Sequence, residues 1–171
     1  MDWQTTSEDT VPSAPVTEAD VRLLRARPPA TGAWRDGDPA GGRSFASFGA
    51  FATESGAELP GIRLAFETWG ELNDARDNAI LVLHALTGDS HVRGGAGAGH
   101  PTAGWWEDVT GPGGPLDTDR WFVIAPNMLG GCQGSTGPAS IAPSGYEWAS
   151  RFPYLTIRDQ VAAQVRLADS L

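Results

Sequence analysis

Two stretches of the chain fit β-strands, and the second alternates between apolar and polar residues. They are residues 47–53 and Ile62–Trp69, and the second turns Leu64 to the side opposite Glu67. The segment between them, residues 54–58, is polar and contains a glycine, which is typical of a turn. We therefore predict an antiparallel hairpin at this point of the chain.

Two further runs, residues 79–83 and 121–125, are apolar on both faces. Strands that are covered by helices on both sides of a parallel sheet have this composition. Pro126 ends the second run, because proline cannot continue the hydrogen-bonded ladder of a central strand. The chain is therefore predicted to be of the α/β class.

One helix is indicated at the end of the chain. Thr156 fits the N-cap position, and Asp159 three residues later is close to a capping box. The apolar positions that follow, at spacings of four, four, three and three residues, form a stripe that we expect to lie on the sheet: Ile157, Val161, Val165, Ala168 and Leu171. Neither a glycine C-cap nor another strand follows, so we expect a domain that is truncated after this helix.

The same pattern divides the chain into two parts. Residues 1–43 hold five prolines among small and polar residues and show no sustained periodicity. We predict that they form a mobile N-terminal extension without catalytic consequence, and that residues 44–171 form part of one domain.

Composition excludes several classes of function. All 12 basic residues are arginine, which excludes chemistry that needs a lysine amine, such as a Schiff base or a GxxxxGK[ST] phosphate loop. The formal net charge of -9 and the absence of a basic run argue against nucleic-acid binding.

The chain is also expected to be cytoplasmic and to bind no membrane. No run approaches about 18 apolar residues, and the first twenty residues carry five acidic groups without a cationic start. Cys132 is the only cysteine, which excludes an intramolecular disulfide and agrees with a reducing compartment.

A candidate catalytic element directly follows the predicted strand at residues 79–83, in the sequence HALTGD. In enzymes with a nucleophile elbow, the loop at this place supplies one backbone N–H of the oxyanion hole. Leu86 is the candidate donor, because a main-chain N–H tolerates an apolar side chain, and Gly88 permits the bend. On this pattern alone, a plain strand-to-loop turn is the alternative.

A candidate thiol nucleophile, Cys132, lies in the sequence GGCQG, which matches GxCxG. The residues that follow it, GSTGP, cannot propagate the helix that such an elbow requires. All three histidines precede the cysteine, whereas the partner base follows the nucleophile in that fold. We therefore interpret Cys132 as a packed side chain in a glycine-rich loop, and no serine in the chain satisfies GxSxG.

Metal binding is conceivable for His84, Asp89, His91 and His100, but their spacing across a glycine-rich stretch matches no zinc pattern. We predict no metal, and we interpret the histidines as packing or hydrogen-bonding residues. The tryptophan pair at residues 105–106 is interpreted as core and lid packing rather than as a platform for a ligand.

Four sequence blocks, in this order, carry a resemblance to a known family: HALTGD, GWWEDVTGPGGPLDTDRWFVI, NMLGGCQGSTGPAS and FPYLTIRDQVAAQ. Over residues 44–171 the chain resembles the N-terminal part of homoserine O-acetyltransferases, which have the α/β-hydrolase fold. The resemblance implies a partial α/β-hydrolase fold with an N-terminal hairpin, two buried strands and one following helix, truncated before the nucleophile elbow.

The resemblance also implies the chemistry. In the family, a serine aided by a histidine and an aspartate takes the acetyl group from acetyl-CoA and passes it to the hydroxyl of L-homoserine, during methionine biosynthesis. No bound cofactor is implied, and the full-length enzyme is commonly a homodimer. Only the Leu86 N–H is carried over to this chain. The nucleophile, acid and base are not, so we expect the chain alone to be inactive and marginally folded.

Three alternatives stay open. Relatives that use a succinyl donor with homoserine, or that acetylate serine, share much of the same sequence. A noncatalytic remnant could act by pairing the open edge of the strand at residues 79–83 with a partner. A thiol enzyme that uses Cys132 is the third.

Overall fold

The computed structural model describes residues 32–171, which form a four-stranded mixed sheet, two small two-stranded sheets and one α-helix. The elements in chain order are β1 (Ser44–Phe48), β2 (Phe51–Ala52), β3 (Glu58–Leu59), β4 (Ile62–Trp69), β5 (Ala79–Leu81), β6 (Thr110–Gly111), β7 (Leu116–Asp117), β8 (Phe122–Pro126), a 3-10 helix (Ala149–Arg151) and α1 (Ile157–Ser170). The strand order of the main sheet is β1-β4-β8-β5.

The main sheet contains one parallel pair of strands. β4 pairs antiparallel with β1 on one side and with β8 on the other, whereas β5 runs parallel to β8. Ile80 of β5 lies opposite Val123 of β8. The carboxyl ends of β5 and β8 therefore meet at one edge of the sheet, which is where ligands bind in open α/β sheets.

The predicted hairpin is present, but its first strand is not where the sequence placed it. β1 pairs with β4 and sets Phe48 opposite Ile62. The expected strand at residues 47–53 is interrupted after Phe48, and its second half forms β2, which pairs with β3. Gly56 lies between β2 and β3 at φ +83°, a conformation that favours glycine. The chain therefore turns tightly at this residue, and β2 pairs with β3 instead of extending β1.

β5 is an edge strand among the described residues. Residues 79–83 were expected to be covered on both faces, but Leu81 and Leu83 are 41% and 51% exposed. This expectation is wrong for residues 32–171, because their one α-helix packs in a core that contains no residue of β5. β8 is also the only strand there that pairs with β5. The open apolar edge expected of a truncated domain is therefore present.

The main core lies between one face of the sheet and α1. It combines residues of β2, β3, β4 and β8 and of the loop after β8 with the buried side of the helix: Phe51, Leu59, Ile62, Leu64, Phe66, Ile124, Leu129, Ala163 and Leu167. Within residues 32–171, no helix has the length and apolar character needed to cross a membrane.

α1 begins as predicted. Asp159 donates its backbone N–H to the Thr156 hydroxyl and accepts the Thr156 N–H with its carboxylate, which completes a capping box. The same carboxylate accepts the Glu54 N–H at 2.9 Å. The cap therefore also binds the helix to the turn between β2 and β3.

The buried face of α1 differs from the predicted one. The buried side carries Ala163 and Leu167, while Gln160 donates its side-chain amide to the Leu129 carbonyl at 2.6 Å. Because this polar side chain finds a partner on the loop after β8, the helix buries a mixed face. Three members of the predicted stripe are at least half exposed instead: Ile157, Val161 and Val165.

Residues 1–31 of the predicted extension lie outside the described residues. Its remainder, residues 32–43, is bound to the folded part. Arg35 forms an ion pair with Glu147 at 3.1 Å, and Arg43 is 5% exposed. The arginine side chains of residues 32–43 thus have partners far along the chain, and the mobility expected of this segment stays a prediction that these contacts do not favour.

Replacement of Asp159 by alanine is expected to lower the free energy of unfolding by about 1 kcal/mol, the usual loss for an N-terminal cap. Burial raises the pKa of Asp159, but the hydrogen bonds from Thr156 and Glu54 together lower it by more than burial raises it. The net pKa therefore lies below 3.8. The difference from the unmodified chain should be present above pH 3.8 and shrink as the pH falls through the folded pKa. Urea unfolding at several pH values measures it.

The matched control is Asp169→Ala, which removes an exposed carboxylate from the other end of α1. It should leave stability nearly unchanged. An equal loss in both variants would contradict the role given to the cap.

Candidate functional site

The loop after β5 folds back on itself at the edge of the sheet where β5 and β8 end. The Gly88 N–H donates to the Ala85 carbonyl at 2.9 Å, and His84 Nε2 accepts the Met128 N–H at 3.1 Å. A Cβ at Gly88 would lie 3.0 Å from the Cβ of His84. The glycine therefore lets the turn approach His84 closely, and the predicted bend is present.

Leu86 lies at the tip of this turn. It is 99% exposed, and its N–H donates no hydrogen bond to any of residues 32–171. An unpaired, accessible N–H at this place has the properties that an oxyanion donor requires. Its catalytic role stays a prediction.

A cavity of about 260 Å³ opens beside the turn. Its walls come from the loop after β5, the stretch around residue 100 and the loop after β8. The lining residues are Leu86, Thr87, Gly88, Asp89, His91, His100, Pro101, Thr102, Cys132 and Gln133.

A buried polar cluster lies under the cavity wall. Glu67 of β4 is 4% exposed, and its Oε1 accepts the Ser90 hydroxyl at 3.0 Å. Its Oε2 accepts the His91 Nδ1–H, also at 3.0 Å. Burial raises the pKa of Glu67 above 4.5, and the hydrogen bonds and charges of His91, Ser90 and Arg43 act in the opposite direction.

The two buried imidazoles of the cluster are stacked. The ring centroids of His91 and His100 are 3.7 Å apart, with an interplanar angle of 10°. His100 Nε2 accepts the Gly42 N–H at 2.9 Å, which assigns the ring proton to Nδ1. Burial lowers the pKa of His100 to about 4, and the charges of Arg43 and His91 act in the same direction against a smaller opposite effect of Asp89. His100 is therefore neutral at pH 7.

Arg43 joins the walls of the cavity. One guanidinium nitrogen donates to the Gly99 carbonyl at 2.7 Å. Another donates to the Gln133 side chain at 3.0 Å and lies 3.4 Å from an Asp89 oxygen. The three partners stand on three different stretches of chain, so one buried cation connects these stretches.

The tryptophan pair at residues 105–106 braces the same loop. The two indoles are tilted against each other with centroids 5.2 Å apart. Trp105 donates its indole N–H to the Asp89 carbonyl at 3.0 Å. The two side chains are 37% and 44% exposed, so the core packing expected from the sequence is wrong for this pair, because the indoles lie on the surface of the loop.

The ligating atoms of Glu67, His91 and His100 lie within 4.8 Å of one another, which makes them the candidate metal group among the described residues. The stacked rings do not suit an ion, because a metal in the plane of one imidazole lies well outside the plane of the other. Glu67 and His91 are also hydrogen-bonded to each other, and His100 Nε2 is engaged by Gly42. The predicted absence of a metal site stays a prediction that these contacts favour.

Cys132 lies in the cavity wall, but its described contacts are not those of a catalytic thiol. Its sulfur is 3.9 Å from the Gln133 amide, and its carbonyl accepts the Trp34 N–H at 2.9 Å. Within residues 32–171, no hydrogen bond joins the Cys132 sulfur to an imidazole. The residues after Cys132 form bends and turns without a helix, as the sequence predicted.

The sequence analysis missed Glu67, Ser90 and Arg43. Glu67 was assigned to the polar side of a strand, and nothing near it in sequence marks a partner. Of the proposed metal group, His84 and Asp89 do not join the cluster, whereas His91 and His100 do. The strand carries a second charged residue, Arg63, so no local signal distinguished Glu67.

Comparison with known proteins places these features in a family. No model of a protein family matches the chain. The chain is 66% identical over 171 residues to the homoserine O-acetyltransferase of Leifsonia xyli subsp. xyli, covering all of this chain and 42% of that protein. It is 62% identical over 156 residues to the homoserine O-acetyltransferase of Clavibacter michiganensis subsp. michiganensis, covering 91% of this chain and 40% of the relative. The chain thus spans about two fifths of the length of these relatives.

Solved structures show the same likeness. Homoserine O-acetyltransferase from Bacillus anthracis matches with a TM-score of 0.68 and 32% identity, over 75% of this chain and 36% of that one. Esterase E22 matches with a TM-score of 0.69 and 35% identity, over 75% of this chain and 37% of that one. These matches confirm the prediction of a partial α/β-hydrolase fold.

Replacement of His100 by glutamine is expected to flatten the acid dependence of stability. The pKa of His100 is about 4 when folded and 6.5 when unfolded, so between these values the unfolded chain binds the proton first. Folding stability therefore falls as the pH falls through this window, by on the order of 3 kcal/mol from this group. The variant should lack that part of the loss, measured as the change in unfolding free energy from pH 7 to pH 4.

The two proteins are compared by the slope of their unfolding free energy against pH. Loss of the Gly42 contact lowers the free energy by the same amount at every pH, so it does not change this slope. Parallel slopes in the two proteins would show that His100 is not held neutral in the fold.

Zinc is expected to leave the Tm of the chain unchanged at a molar excess, because the ring geometry of His91 and His100 does not favour shared ligation. A ligand that binds the folded state raises Tm by mass action. Thermal unfolding with and without zinc, and after EDTA, measures the difference. A zinc-dependent rise in Tm that is lost in the His91→Gln variant would contradict the prediction.

Proposed function

The chain belongs to the homoserine O-acetyltransferase family of α/β-hydrolase proteins, and on this premise we propose that it is part of an enzyme that acetylates L-homoserine. The acetyl donor in this proposal is acetyl-CoA, and the acceptor is the side-chain hydroxyl of L-homoserine. The reaction would serve methionine biosynthesis.

The observation that carries the proposal is the unpaired Leu86 N–H beside the cavity. Acyl transfer passes through a tetrahedral intermediate whose oxygen bears a negative charge, and backbone N–H groups stabilise that charge. The loss of such a donor costs on the order of 100- to 1,000-fold in rate. Leu86 would supply the first donor, and the residue after the nucleophile would supply the second.

The nucleophile, acid and base of the proposed reaction are not assigned to any residue of this chain. No serine satisfies GxSxG. His84 is engaged by the Met128 N–H and the Ala85 carbonyl, while His91 and His100 are buried. These contacts support the proposal that the 171 residues alone do not turn over substrate.

The proposal includes the setting of the full-length enzyme. We expect it to act as a homodimer in the cytoplasm, with homoserine and acetyl-CoA as its small-molecule partners and with no bound cofactor. The catalytic contribution of this chain would come from residues 44–171.

A second candidate function is noncatalytic binding through the outer edge of β5. The exposure of Leu81 and Leu83 favours it, because an open apolar edge can accept a strand from another chain.

Acylation of homoserine with a succinyl donor, or acetylation of serine, would use the same Leu86 N–H as an oxyanion donor.

An acetyl-transfer assay tests the proposal. The purified chain, mixed with acetyl-CoA and L-homoserine, is expected to form O-acetylhomoserine at no more than the background rate, since the chain contributes an oxyanion donor without a nucleophile. Mass spectrometry of the product measures it. The Leifsonia xyli homoserine O-acetyltransferase, assayed in parallel, is the positive control.

A Cys132→Ser variant separates the remaining outcomes. Turnover by the chain that disappears in this variant would establish a thiol enzyme, and turnover that persists would place a complete catalytic set within the chain. Either result would overturn the proposed inactivity.

A further inference from the structure

At the far end of the cavity loop, one buried carboxylate holds two neighbouring residues, next to the contacts that Arg43 and Trp105 make with Asp89. The Ser90 hydroxyl and the His91 Nδ1–H both donate to Glu67, one to each oxygen, at 3.0 Å. Glu67 stands in β4, which is paired with β1 on one side and β8 on the other, with Glu67 opposite Ala125. The carboxylate is therefore fixed to a strand that is paired with two neighbours, and the loop is fixed to the carboxylate.

Leu86 lies between this anchor and a second one. At the near end of the loop, His84 accepts the Met128 N–H at 3.1 Å. Leu86 itself is 99% exposed and makes no hydrogen bond with any of residues 32–171. The direction of its N–H therefore depends on how the loop is held at its two ends.

We propose that Glu67 is a positioning residue, which keeps the Leu86 N–H directed into the cavity by holding Ser90 and His91. The proposal rests on the proposed function, in which that N–H stabilises the oxyanion. Such a donor is effective because it is in place before the charge develops. A displacement of about 1 Å at a reacting centre can cost on the order of 100-fold in rate.

An ionised carboxylate suits this task because both of its partners are donors. Each oxygen takes one hydrogen, so Ser90 and His91 are held at the same time. Arg43, 5% exposed, lies near enough for its charge to favour the ionised form of Glu67. A glutamine has the same shape, but its NH₂ group must face one of the two donors. If that donor is His91, the ring has to move its proton from Nδ1 to Nε2.

Nuclear magnetic resonance of the ¹⁵N-labelled 171-residue chain tests the proposal, with Glu67→Gln as the variant. In the unmodified chain we expect a backbone order parameter at Leu86 near the rigid value of about 0.85, and in the variant a fall below about 0.6. The ¹⁵N spectrum of His91 should show the proton on Nδ1 in the unmodified chain. The variant should show it on Nε2, or a mixture of the two forms.

Two further variants separate positioning from general stability. Ser90→Ala removes one of the two contacts and keeps the buried charge, so Leu86 should become partly mobile while Val123 and Ala125 of β8 keep their resonances. Glu71→Gln changes an exposed carboxylate just after β4 and should change nothing at Leu86.

The outcomes are decisive in each case. A folded Glu67→Gln variant in which Leu86 keeps its order parameter and chemical shift would overturn the proposal. If that variant does not fold, the Ser90→Ala chain decides, and an unaffected Leu86 there overturns it equally. The experiment detects the amide itself without substrate, so a failure of the acetyl-transfer proposal would leave its result unchanged.

Discussion

A buried negative charge, the carboxylate of Glu67, is the constraint on which the walls of the cavity depend. Removing an ion from water costs several kcal/mol even after the protein relaxes. The cost is offset where the oxygens receive hydrogen bonds and an opposite charge lies close by. Ser90 and His91 supply the hydrogen bonds, and Arg43 supplies the charge. The loops that bring these groups to β4 are the loops that shape the cavity.

Arg43 and Glu67 divide this task between them. Arg43 joins Gly99 to Gln133, whereas Glu67 holds the loop after β5. The backbone comes so close here that a Cβ at Gly42 would lie 2.8 Å from Glu67 Oε2. The segment before β1 therefore belongs to the architecture of the site, although its sequence has the composition of a tail.

The sequence predicted what depends on neighbouring residues and failed where partners are distant. The capping box at Thr156 needs a residue three positions away, and it is present as predicted. The buried face of α1 was predicted wrongly because the helix has a second, mixed face, and its partner Leu129 lies 31 residues away from Gln160. Glu67 meets Ser90 and His91 across 23 and 24 residues, and no local pattern encodes that pairing.

The exposed apolar surface of α1 and β5 has a consequence for the solubility of the chain. On α1, the exposed apolar side chains are those of Ile157, Val161 and Val165. Leu81 and Leu83 are exposed at the edge of the sheet where β5 has no neighbouring strand. Exposure of apolar surface to water is unfavourable, and molecules that carry such surfaces gain free energy when they bury them against one another. We therefore expect this polypeptide to have a low solubility limit, because its molecules associate with one another. Chaperones that bind exposed apolar segments would compete with this self-association.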